Sequence, residues 1–283
     1  MKLSLGFSPC PNDTFIFDAL VNHKIDTDGL EFDLHLEDVQ TLNNWAKEGK
    51  LDFSKISYGV LPRILSEYCV LDSGGALGMG VGPLLIASNP MAAEEVHAHQ
   101  IAIPGVDTTA HLLFSLAYPD AKNKEFVVFN EVEDFVKDGK GLGVIIHENR
   151  FTYQKRGLVK LIDLGDYWEK TTHAPIPLGG IVAKRNQPFK LLKKMNNLIR
   201  NSIEYAYIHH KDQLAEYVKM HAQEMEEEVM RQHINLYVNN FSFSLGDKGK
   251  KAIFQVLDVY NNLHAENQIS KESIFAAELQ TVA

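Results

Sequence analysis

Residues 3–20 read LSLGFSPCPNDTFIFDAL. Leu3 to Phe7 alternates like a strand, a turn stiffened by Pro9 and Pro11 follows, and an apolar helical stretch runs from Thr14 to Asn22. Asn12 or Asp13 is placed to cap that helix. Strand, rigid turn and helix make one unit, and the same unit recurs outward along the chain. LEFDLHLED (30–38) alternates with period two and TLNNWAKEG (41–49) is a short helix. LDFSKIS (51–57) is a strand followed by the helix VLPRILSEY (60–68), and PLLIAS (83–88) is a strand after a glycine-rich segment.

A second series follows. Strands are expected at QIAIPG (100–105), EFVVFN (125–130), LGVIIHE (142–148) and LVKLIDLG (158–165). Helices are expected at TTAHLLFSLAYP (108–119), EVEDFVKDG (131–139) and NRFTYQKRG (149–157). IPLGGIVAKR (176–185) reads as a strand leading back, and from Pro188 the chain reads as helical. Strand–helix alternation predicts an α/β fold with mostly parallel sheets and helices on both faces. Two segments, Ala87–Pro90 and Ala183–Asn186, look like matched crossings. The reading is therefore two lobes around a cleft: residues 1–88 plus 186–283 form the first, and 89–185 form an inserted second.

Composition narrows the function. The 283 residues are 45% hydrophobic and 23% charged, with a formal charge of −9 and no long Lys/Arg run. That argues against nucleic acid or an anionic membrane as partner. No apolar run approaches the roughly 20 residues that span a bilayer. The two cysteines, Cys10 and Cys69, are too far apart for a CxxC pair and suit a reducing compartment. The N-terminus does not read as an export signal, so a cytoplasmic location is expected. The acidic run EMEEEVMR (224–231) reads as a solvated helix face.

In parallel α/β sheets, ligands bind beyond the C-terminal ends of the strands, and this selects the candidate site. SGGALGMGVGP (73–83) lacks the GxGxxG spacing and precedes a strand, so dinucleotide binding is rejected. The histidines show no ligand partner at metal-binding spacing, so no metal is expected. His147 closes a strand at the cleft end, where an imidazole can transfer protons or simply be held by hydrogen bonds. In PGVDTTAH (104–111), Asp107 or Thr108 caps a helix whose first N–H groups, at Thr109 and Ala110, form an anion site suited to a carboxylate. SKIS (54–57) offers the Lys55 charge, the Ser57 hydroxyl and backbone donors. Ser8, Asn12, Asp13 and Thr108 are expected to line the cleft.

SPCPNDTFIFDAL (8–20), DFSKISYG (52–59), GVDTTAHLL (105–113) and GVIIHENRFTY (143–153) together resemble the 1,4-dihydroxy-6-naphthoate synthases of the futalosine route to menaquinone. The resemblance runs in order from Leu5 to about Arg185, and no one of these motifs carries it alone. It implies a two-lobe fold like that of type II periplasmic binding proteins. It implies a lyase that converts cyclic dehypoxanthinyl futalosine, a small carboxylate, to 1,4-dihydroxy-6-naphthoate with loss of a three-carbon fragment and no cofactor. It also implies His147 as general base and substrate contacts at Lys55, Ile56, Ser57, Thr109 and Ala110. Two rivals share the fold, a solute-binding protein without chemistry and the related chorismate dehydratase.

Overall fold

The computed structural model describes residues 1–210, 212–222, 226–266 and 268–281. The chain opens with β1 (Lys2–Phe7), α1 (Pro11–Val21), β2 (Glu31–Leu36), α2 (Val39–Lys47), β3 (Phe53–Ser57), β4 (Tyr68–Val70) and β5 (Ala76–Gly78). It continues through β6 (Leu84–Ala87), β7 (Ile101–Ile103), α3 (Thr109–Ala117), β8 (Lys124–Phe126), α4 (Val132–Lys137), β9 (Leu142–Ile145), α5 (Asn149–Thr152), β10 (Val159–Asp163) and α6 (Leu164–Thr172). The return strand β11 (Ile176–Lys184) leads into α7 (Phe189–His209), α8 (Glu216–His221), α9 (Glu227–Tyr237), α10 (Asn240–Phe243) and α11 (Gly246–Leu263). The start of the acidic run, Glu224 and Met225, lies outside the described residues, and the run continues into α9.

The strands form two mixed sheets. The first has the order β2-β1-β3-β11-β4, with β5 also paired to β11; the second is β10-β6-β9-β7-β8. The β1–β2 and β1–β3 pairs are parallel, while β11 runs antiparallel to β3, β4 and β5. In the second sheet β7 is parallel to β8 and β9, but β6 is antiparallel to β9 and β10. The expected mostly parallel sheets are thus mixed, because an apolar pattern carries no strand direction. β6 sits in the second sheet and β11 in the first, so the chain leaves the first sheet after Gly78 and returns at Ile176.

The first sheet carries α1 and the C-terminal helices α7, α8 and α9, which pack on α1. Its core includes Leu5, Phe7, Phe17, Leu20, Met195 and Ile199, with Phe7 stacked on Phe17 at 4.5 Å. α1 begins at Pro11, earlier than expected, because a proline pre-set for helical φ sits best at the first helical position. Cys10 therefore holds the cap position, without a side-chain cap bond, and Asn12 and Asp13 lie inside the first turn. VLPRILSEY is not a helix. It contains a single 3-10 turn, Leu61–Arg63, and ends in β4, whose Tyr68 pairs with Lys184 of β11.

Candidate active site

The C-terminal ends of β1, β3, β7 and β9 face one cavity of about 650 Å³ between the sheets. Ser8, Asn12 and Asp13 reach it from the β1–α1 turn, and Lys55, Ile56 and Ser57 from β3. Thr108, Thr109 and Ala110 reach it from the start of α3, and His147 from the loop after β9. All ten residues singled out in the sequence lie around this single space.

The first wall is a locked polar network. Lys55 Nζ donates to Asp13 Oδ1 at 2.8 Å and to the Gly74 carbonyl at 3.3 Å. Asp13 also accepts from Ser8 Oγ at 2.7 Å and from Asn12 Nδ2 at 2.8 Å. Lys55 and Asp13 are 5% and 2% exposed, so the lysine charge is already partnered within the wall. This changes the expectation for SKIS: Lys55 keeps one donor for a ligand rather than an unpaired charge. The Ser57 N–H is also occupied, since it donates to Asn43 Oδ1 at 2.9 Å. The Ser57 side chain is what that strand end offers the cavity.

The second wall is a helix start. Thr108 caps α3, accepting from the His111 N–H. Asp107 does not cap; it is buried against Lys47 and Arg63 at 2.5 and 2.8 Å. The first N–H groups of an α-helix have no partner inside the helix, so those of Thr109 and Ala110 can receive an anion. The Thr109 hydroxyl is engaged elsewhere. It donates to the Leu178 carbonyl at 2.7 Å and accepts from the Gly59 N–H at 3.1 Å.

His147, which follows β9 in the same sheet as the strand before α3, has a positive φ of 56°. A non-glycine residue pays strain for that backbone, and such strain gathers at functional sites. Its ring packs edge-on against Phe129, with centroids 5.1 Å apart. Its Nδ1 lies 3.5 Å from Cys10 Sγ. Burial pushes the imidazole below its ordinary range, and the neighbouring Glu148 carboxylate opposes that shift. Burial likewise pushes the Cys10 thiol well up, so it is a neutral thiol in the free protein.

Sequence reading missed two residues here. His233 of α9 lines the same cavity at 0% exposure, and neither ring nitrogen has a hydrogen-bond partner among the described residues. Its ring lies 6.0 Å from that of His147. Tyr237, one helical turn on, also lines the cavity. Their position on a C-terminal helix gave no local signal; only a helix that closes on the cleft reveals them.

Two sheets with a cleft between them are the architecture of the periplasmic binding proteins. The periplasmic aliphatic sulphonate binding protein of Escherichia coli matches 95% of this chain and 92% of its own with a TM-score of 0.64 at 8% identity, which speaks to fold alone. A structure of an Archaeoglobus fulgidus protein matches 93% of this chain and 98% of its own with a TM-score of 0.87 at 27% identity. The sequence narrows the class. The profile of the menaquinone biosynthesis family matches residues 3–262, and the chain belongs to that family. It is 44% identical over 252 residues to the 1,4-dihydroxy-6-naphthoate synthase of Thermus thermophilus, covering 89% of this chain and 91% of the relative. It is 42% identical over 257 residues to the enzyme of the same name from Streptomyces coelicolor, covering 89% and 90%. Among the described residues, no helix is long and apolar enough to cross a membrane.

Proposed function

We propose that the protein is a lyase that converts cyclic dehypoxanthinyl futalosine to 1,4-dihydroxy-6-naphthoate, releasing a three-carbon fragment, in the cytoplasm. The observation that carries this reading is the convergence of four separate sequence segments on one cavity, with His147 and the α3 start both among its lining. Support for the substrate class comes from the α3 N-terminus, where two N–H groups suit a carboxylate. In this reading His147 takes a proton from carbon beside a carbonyl. The Ser57 hydroxyl and the remaining Lys55 donor bind the oxygen on which charge develops. Carbon–carbon cleavage then yields the aromatic product, and aromatisation draws the reaction forward. The locked Ser8–Asp13–Lys55 network holds its donors in place before substrate arrives, which lowers the ordering cost of binding.

The test is direct. Purified protein given the cyclic substrate should form the dihydroxynaphthoate without added cofactor. His147→Ala should still bind substrate and lose turnover by roughly 10²–10⁴-fold. Binding without product in the wild type would leave a solute-binding protein, and full turnover in His147→Ala would remove the histidine from its role.

A further inference from the structure

The fold brings together three side chains able to ligate a metal, a grouping that no local spacing encodes. Cys10 Sγ, a ring nitrogen of His147 and a carboxylate oxygen of Glu148 lie within 4.8 Å of one another. The Cys10 Sγ to His147 Nδ1 separation is 3.5 Å. Two ligands on a tetrahedral zinc, with Zn–S about 2.3 Å and Zn–N about 2.0–2.1 Å, stand about 3.5 Å apart. A second observation points the same way. His233 is fully buried on the cavity wall with both ring nitrogens unpartnered among the described residues, and its Nδ1 is 3.8 Å from Glu148 Oε2, which is unpartnered too. Unsatisfied polar atoms in such a place ask for a partner.

We propose that Cys10, His147 and Glu148 form a site for a thiophilic divalent cation such as Zn²⁺, with His233 beside Glu148 at its edge, and that its occupation inhibits the enzyme. On binding, the Cys10 thiol releases its proton to solvent, and the resulting thiolate with the Glu148 carboxylate supplies two negative charges, which a divalent ion cancels in a buried place that tolerates no net charge. Soft sulfur and imidazole ligands favour Zn²⁺ over Mg²⁺ or Ca²⁺. Cys10 comes from the β1–α1 turn, His147 and Glu148 from the loop after β9, and His233 from α9. A bound ion therefore ties the two sheets together across the cleft. Inhibition follows because the ion takes up the His147 imidazole, and this consequence alone rests on the function proposed above; binding does not.

The experiment uses the full chain, freed of metal, titrated with Zn²⁺ against a chromophoric chelator and separately with Co²⁺ as a spectroscopic probe. One ion should bind per chain, and the cobalt form should show a thiolate-to-metal charge-transfer band in the near ultraviolet. Cys10→Ser should abolish that band and weaken Zn²⁺ binding at least tenfold, and His233→Gln should weaken it as well. In the wild type, Zn²⁺ should slow the labelling of Cys10 by a thiol reagent, a readout that needs no variant to fold. Cobalt binding without the band, Zn²⁺ affinity unchanged in Cys10→Ser, or unprotected Cys10 would each overturn the site. Turnover undiminished at saturating Zn²⁺ would overturn the inhibition, whereas a protein that never forms the naphthoate would overturn the function and leave the binding result standing.

Discussion

His233 is the residue whose surroundings explain it least in structural terms. An unsatisfied buried donor or acceptor costs about 1–3 kcal/mol, and His233 leaves two nitrogens without partners among the described residues. Its burial also holds it well below the usual imidazole range, so it sits neutral beside His147. A ligand in the cavity would supply the missing partners. His233→Phe, which fills similar space without polar atoms, should leave the thermal midpoint unchanged or raise it while kcat/KM falls at least tenfold, about 1.4 kcal/mol. Unimpaired kcat/KM in that variant would return His233 to the core. His111 makes the pH argument. Burial pushes it down to about 4, against an ordinary value of 6.5. Its Nδ1 donates to the Val106 carbonyl at 2.8 Å and its Nε2 accepts from Lys124 Nζ at 3.1 Å, with Arg63 and Asp107 also acting on it. Protonation would set the ring against Lys124. Between pH 6.5 and about 4 the unfolded chain holds the extra proton, so stability is full above pH 6.5 and declines as pH falls through that window. The urea midpoint should drop between pH 7 and 4.5, and His111→Gln should flatten the drop. Sequence alone put His147 at the cleft end of a strand, and it lies just past β9 on the cavity. The sequence could not expose the Cys10 contact, whose partners are 137 residues apart.

Among the elements, those with a strong local period were readable and those fixed by distant partners were not. β1, β2 and β3 stand close to where their alternation put them, and α3 starts where Thr108 caps it. α6 escaped notice because LGDYWEKTT is mostly polar and has a single large apolar anchor, Trp168, fully buried in the core. VLPRILSEY has a helical composition, yet pairing of β4 with β11 claims its last residue, and tertiary pairing overrides propensity. Gly59 shows how closely two elements meet at the site. A Cβ there would stand 2.5 Å from the Thr108 carbonyl carbon and oxygen, a backbone contact that cannot give way cheaply. That approach lets the Gly59 N–H reach Thr109 Oγ1 and fixes the α3 N-terminus against the loop after β3. Gly59→Ala should therefore cost about 1–3 kcal/mol of stability and raise KM more than it lowers kcat, because it displaces the carboxylate site and not the base. Equal losses in kcat and kcat/KM, with KM unchanged, would contradict that placement.

At the scale of the whole molecule, one apolar core includes residues of both sheets, and a small set of polar contacts beside the cavity adds to it. Asp107, at the start of the second sheet's helix α3, is buried and collects Lys47 of α2 at 2.5 Å and Arg63 at 2.8 Å. Gln40 accepts from the Asp107 N–H at 3.1 Å, and Asn43 donates to its carbonyl at 3.3 Å. Thr109 adds the bond to Leu178 of β11. All of these join the second sheet's loop to elements of the first, within two residues of the proposed carboxylate site. Any movement of one sheet against the other would therefore pass through the turn that carries the proposed carboxylate site. Asp107→Asn keeps the shape and removes the charge. Lys47 and Arg63 have side chains 32% and 42% exposed, so water can take them up, and the loss should be modest, about 1–2 kcal/mol. The larger effect should be on closure. The radius of gyration of the ligand-free variant should exceed that of the wild type in solution scattering, and KM should rise several-fold. High salt should weaken the wild-type pairs only in part, because Asp107 is buried while its two cationic partners reach solvent. An Asp107→Asn chain as compact as the wild type, with the same KM, would show that the apolar contacts between the lobes hold the cleft closed without this ion cluster.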